Sequence, residues 1–135
     1  MNITVETTVN APIAEVWRAY TTPSDIQQWN TASDDWHTTH ATVDLCVGGA
    51  FTSRMEAKDG SFGFDFVGTY TEIVPNAVIG YTFGDRTGLV EFFSGQDGIT
   101  VRVTFDAEAD NSEAQQRQGW QAILNNFKRH VESLQ

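Results

Sequence analysis

The end of the chain is apolar along one side only, and that stripe constrains the fold more than any other feature. Trp120, Ile123, Leu124, Phe127, Val131 and Leu134 recur at the three- and four-residue steps of an α-helix, opposed by Gln121, Asn125, Lys128, Arg129 and Glu132. Ser112-Glu113-Ala114-Gln115 has the form of a capping box and gives the helix a defined start. A long helix apolar on one face must bury that face against something. Gly119 inside it costs about 1 kcal/mol relative to Ala, which points to a close approach of its backbone to a neighbour.

The partner is legible upstream. From Ala41 to Asp106, short runs are separated by turn signals: Gly48-Gly49, Asp59-Gly60, Pro75-Asn76, Gly84-Asp85 with Gly88, and Asp97-Gly98. This spacing predicts an antiparallel meander. In its last strand Ile99, Val101, Val103 and Phe105 share one face, and Thr100, Arg102 and Thr104 the other. At the opposite end of the chain, Asn2 to Val9 alternates in the same way and reads as a further strand. The period then changes. Pro12 starts a helix carrying Ile13, Val16, Trp17 and Tyr20, and Thr22-Pro23-Ser24-Asp25, read as a capping box, starts another carrying Ile26 and Trp29. Residues 30–40 have no period and read as loop.

The order is therefore strand, two short helices, six strands, long helix. It predicts an α+β architecture: a curved seven-stranded antiparallel sheet, its first and last strands paired, around the C-terminal helix. A sheet curved this far cannot touch a straight helix everywhere. A gap is expected where the two short helices sit.

Size and charge narrow the function. A chain of 135 residues reads as one domain over 1–135, and 40% hydrophobic content suffices for a core. Cys46 is the one cysteine, so an intramolecular disulfide is excluded; it reads as a small core residue rather than a nucleophile. The N-terminal MNITVETTVN lacks the form of a secretory signal, and no run approaches the roughly 20 apolar residues that span a bilayer. A soluble cytoplasmic protein, monomer or homodimer, is expected. The formal charge of −10, without a Lys/Arg cluster, argues against nucleic acid and against stable association with a membrane.

Particular words in the sequence carry a resemblance: Ala11-Pro12 leading to Val16-Trp17, Pro23 and Trp29, Gly48-Gly49-Ala50-Phe51, Gly68-Thr69-Tyr70-Thr71-Glu72-Ile73 with Pro75, and Gly119-Trp120 with Leu124 and Phe127. Together with the order of elements, they resemble the helix-grip (START-like, Bet v 1-like, SRPBCC) superfamily. Within it the match is to the branch named for the C-terminal domain of the activator of Hsp90 ATPase. The resemblance implies a cavity for apolar ligands and no shared catalytic residues.

The expected function is binding of an apolar or amphipathic, lipid-like small molecule between the last helix and the sheet. The residues expected to wall the cavity are Trp29, Trp36, Phe51, Phe62, Phe64, Phe66, Tyr81, Trp120, Leu124 and Phe127. Phe62, Phe64 and Phe66 share a strand face, which walls a pocket if concave and forms an exposed patch if convex. One alternative is a cyclase- or hydrolase-type enzyme with His37 and Asp65 as its actors. The other is a protein-interaction or co-chaperone-like domain. His37 and His40 beside Asp34 and Asp35 lack a third firm ligand, so no metal is expected. His130 reads as a dipole contact at the helix end. No sequence signature calls for a cofactor.

Overall fold

The computed structural model describes residues 1–135. Its elements are β1 (Asn2–Val9), α1 (Ile13–Thr21), α2 (Pro23–Trp29), β2 (Trp36–Val43), β3 (Ala50–Ala57), β4 (Gly63–Val74), β5 (Val78–Phe83), β6 (Arg86–Gly95), β7 (Gly98–Asp106) and α3 (Glu113–Ser133). All seven strands join one antiparallel sheet in the order β1-β7-β6-β5-β4-β3-β2. The first strand lies beside the last, as the alternating patterns require.

Alternation decides which side of the sheet faces α3. Ile99, Val101, Val103 and Phe105 of β7 are at most 6% exposed, and Ile3, Val5 and Val9 of β1 join them. The opposite face carries hydroxyl pairs across the β1–β7 ladder, Thr4 with Thr104 at 3.2 Å and Thr8 with Thr100 at 3.0 Å.

The course of α3 follows from a second set of bonds. β1 is an edge strand, and its outward carbonyls would otherwise be unpaired. Arg117 donates to the Thr4 carbonyl, Gln121 to that of Glu6 and Lys128 to that of Thr8, at 2.8, 3.0 and 2.6 Å. The polar flank of α3 thus covers this edge, while its apolar stripe faces inward. Leu124, Phe127 and Val131 are at most 2% exposed, each contributing about 1.5–3 kcal/mol by burial. Ser112 caps the helix as a full capping box with Gln115.

Several expectations need correction. Residues 30–40 are not all loop, because β2 begins at Trp36 and pairs with β3 from Trp36↔Ala57 onward. β2 is an edge strand with a register shift between Thr38 and His40, which breaks the alternation that would have exposed it. Thr22 stands at the N-cap of α2 but its side chain makes no capping bond; Pro23 alone sets that start. Cys46 is exposed in the β2–β3 connection and is no part of the core. His130 does more than meet a helix dipole: its Nε2 lies 2.9 Å from Asp25 Oδ1, joining α3 to α2.

Candidate functional site

Because α3 is pinned to the β1 edge, the far strands β3 and β4 curl up opposite it without closing onto its N-terminal half. A cavity of about 620 Å³ fills that space. Sixteen of its 25 lining residues are hydrophobic, so the space is apolar and of the size that holds small ligands. Its position differs from the expected gap. Phe127 and Val131, fully buried, seal the C-terminal half of α3, and Tyr20, Ile26 and Trp29 form the wall on the side of α1 and α2. The open length runs instead beside Gly119, Trp120 and Ile123.

Gly119 takes a meaning opposite to the expected one. A Cβ there would meet nothing within 4 Å, so the glycine marks open space rather than a close approach. Close approaches occur on the sheet. A Cβ at Gly68 would fall 2.3 Å from Phe51 Cζ, and one at Gly88 2.3 Å from Tyr81 Cζ. Both are cross-strand partners, Phe51↔Gly68 and Tyr81↔Gly88. Without a side chain beneath them, these rings lie down over the neighbouring strand and leave the volume above them free.

Of the ten residues expected to wall the cavity, seven line it: Trp29, Phe51, Phe64, Phe66, Tyr81, Trp120 and Leu124. Phe127 does not; it packs edge-on against Tyr20 and Trp29, with ring centroids 5.2 and 4.9 Å away, inside the sealed half. Trp36 and Phe62 also stand outside. They cluster with Phe64 beside the mouth, with centroids 6.0 to 6.4 Å apart, and Phe62 is 63% exposed. Phe64 and Phe66 therefore sit on the concave face, and Phe62 precedes the strand.

The two catalytic candidates are not brought together. His37 borders a separate shallow polar depression with Asp34, Lys58, Arg129 and His130. Asp65 is exposed on the outer face, 3.5 Å from Arg54. No three His, Cys, Asp or Glu side chains are grouped to hold a metal ion. The Cys46 thiol is pushed up in pKa by its hydrogen bond to the Asp44 carboxylate and by the charge of that carboxylate, which disfavours the thiolate.

Polar groups at the cavity are few. Gln116, 8% exposed, donates to the Glu108 and Asn111 carbonyls and accepts from the Glu108 amide, tying the β7–α3 connection to the helix. It lies four residues before Trp120, so the helical stripe extended back by one turn would have found it. Trp29 Nε1 donates to the Ala19 carbonyl. Arg86 stacks over Phe83, 4.5 Å from the centroid, and donates twice to the Asp106 carbonyl. Trp120 stacks on Phe105 at 3.9 Å. Tyr20 and Tyr70 also line the cavity and were missed as site residues, although Tyr20 closes the α1 stripe.

A family model, Activator of Hsp90 ATPase homolog 1-like protein, matches residues 10–132. The chain belongs to this AHSA1-like family. Among solved structures, this AHSA1-like chain is similar to the AHSA1-like protein from Aeromonas hydrophila, with 47% identity and a TM-score of 0.93, covering 99% of this chain and 94% of that one. A protein from Cytophaga hutchinsonii is 44% identical, with TM-score 0.84 and coverage of 98% and 93%. One from Chromobacterium violaceum, at 24% identity, TM-score 0.87 and 98% coverage of both chains, shares the fold. None of the curated proteins matches. The AHSA1-like chain has the helix-grip architecture of a fold family that commonly binds hydrophobic ligands. None of its helices is long and apolar enough to cross a membrane.

Proposed function

We propose that the protein binds an apolar or amphipathic small molecule in the cavity between α3 and the concave face of the sheet. The observation that carries this reading is an apolar space of about 620 Å³ kept open by construction. α3 is held to the β1 edge by Arg117, Gln121 and Lys128, and two glycines let the Phe51 and Tyr81 rings lie flat. Native interiors are close-packed, so an unfilled space of this size costs stability unless something occupies it.

Binding is favoured over catalysis because the proposed actors of an enzyme, His37 and Asp65, do not line the cavity. The mouth lies among exposed Ala32, Phe64, Asn111 and Gln115, so a ligand would enter between the start of α3 and the start of β4.

Native mass spectrometry of the protein purified from its own cells tests this. A retained apolar molecule is expected, with the neutral dye phenylnaphthylamine displacing it. Dye at 100 times its dissociation constant should stabilise the fold by about 2.7 kcal/mol. Protein that carries nothing and gains no stability from neutral apolar compounds would contradict the reading.

A further inference from the structure

The chain has three tyrosines and nine phenylalanines, and all three tyrosines line the one cavity. Tyr70 and Tyr81 are directly paired across β4 and β5 on the concave face. Their rings flank Phe51, with centroids 5.0 and 5.2 Å from it. Tyr20 reaches in from α1, on the opposite wall. A phenylalanine would fill each of these places equally well as packing. The hydroxyl is what distinguishes them.

None of the three hydroxyls bonds to a protein atom, and no unpartnered side-chain oxygen is sealed inside the protein. Each hydroxyl therefore keeps accessible surface, on a residue that lines the cavity. The neighbouring polar groups differ: Trp29 Nε1 and the Gln116 amide have their partners within the protein. Unmet hydrogen-bonding groups gathered in an apolar space are costly unless a bound molecule meets them. Burial, reinforced by the other phenols, raises the pKa of Tyr20; burial first also raises Tyr70, to about 12, and Tyr81. All three thus stay protonated at neutral pH and can donate.

Charge narrows the ligand further. Arg86 and Glu108 are the charged residues of the lining, and they face each other at 3.7 Å. The pair offers no net charge to a ligand, and Arg86 is already committed to the Asp106 carbonyl.

We propose that the cavity selects an uncharged, ring-bearing apolar molecule with an acceptor oxygen of the ketone or quinone kind, held by hydrogen bonds from the hydroxyls of Tyr20, Tyr70 and Tyr81. This rests on the cavity being a ligand site. The rings of Phe51, Phe66 and Trp120 supply surfaces against which a flat molecule packs, and the tyrosine hydroxyls fix its direction.

Fluorenone and fluorene test it, since they share a ring frame and differ in one carbonyl, with fluorenone carboxylate as the charged counterpart. Binding is measured calorimetrically to the wild type and to the triple variant Tyr20→Phe, Tyr70→Phe, Tyr81→Phe, which keeps every ring. Fluorenone should bind about tenfold more tightly than fluorene, and the triple variant should erase that difference. Equal binding of both, unaltered in the variant, overturns the inference but leaves the cavity as a ligand site. Carboxylate binding as tight as fluorenone overturns selection for a neutral molecule. Failure of all three to bind overturns the inference together with the functional reading beneath it.

Discussion

Tyr81 lies across Gly88 on the adjacent strand so closely that a Cβ at position 88 would come 2.3 Å from its Cζ and 2.6 Å from its hydroxyl oxygen. The glycine is thus a seat for the ring. Gly88→Ala must lift Tyr81 into the cavity or push β6 away, and overpacking of this kind costs about 1–3 kcal/mol. Urea denaturation should show that loss, and affinity for phenylnaphthylamine should fall with it. A variant as stable as the wild type with unchanged dye binding would show that the ring has room elsewhere.

Gly119 is the reverse case, a glycine facing open space. Gly119→Leu should raise helix stability by about 1 kcal/mol, from propensity alone. Its side chain would also project into the cavity. The expected result is a higher melting temperature together with loss of dye binding, a pairing that ordinary destabilising substitutions do not produce. Undiminished dye affinity would place the ligand elsewhere.

The tyrosines set an alkaline limit. Their native pKa values lie above the value of about 10 expected in the unfolded chain. Below about pH 10 both states keep their phenol protons and the stability contribution is whole. Above it the unfolded chain releases protons first, so stability falls as pH rises towards the native values. Urea midpoints should drop across this window in the wild type and much less in the triple Phe variant. Because these are all the tyrosines, near-ultraviolet phenolate absorbance reports on the cavity alone. Native protein whose phenols titrate near pH 10 would contradict their enclosure.

The Glu132 carboxylate works in the opposite direction. It accepts from the Asn10 amide at 2.8 Å and from Lys128 at 2.8 Å, and these bonds lower its pKa, the Asn10 amide foremost. Its contribution is present above the unfolded glutamate value of about 4.3 and disappears as pH falls through the lower native value. Glu132→Gln should therefore be less stable than the wild type near neutrality and should match it in strong acid. An equal deficit at both pH values would mean that the carboxylate's charge plays no part.

The sequence disclosed the scaffold better than the site, for a physical reason. Residues that bury a face repeat with the period of their element, so Ile99 to Phe105 and Trp120 to Val131 announced both surfaces of the core. A cavity has no period. Its shape depends on where α3 lies, and that is set by side chains on the polar flank of the helix reaching the β1 edge, which alternation does not display. Phe127 and Trp120 share one stripe, yet one is sealed and the other lines the cavity. The glycines were visible as residues, but their partners Phe51 and Tyr81 were knowable only through register. Tyr20 and Tyr70 carried a signal that went unused: tyrosine at positions whose packing asks only for a ring.

Occupancy of the cavity can be observed directly by intermolecular nuclear Overhauser effects from fluorenone protons in a saturated complex. Contacts with the methyl groups of Ile79, Val103, Ile123 and Leu124, which line the cavity from the sheet and from α3, are the expected result. Contacts confined to exposed residues such as Val67 and Val74, with those four unaffected, would show the hollow beside α3 to be no ligand site.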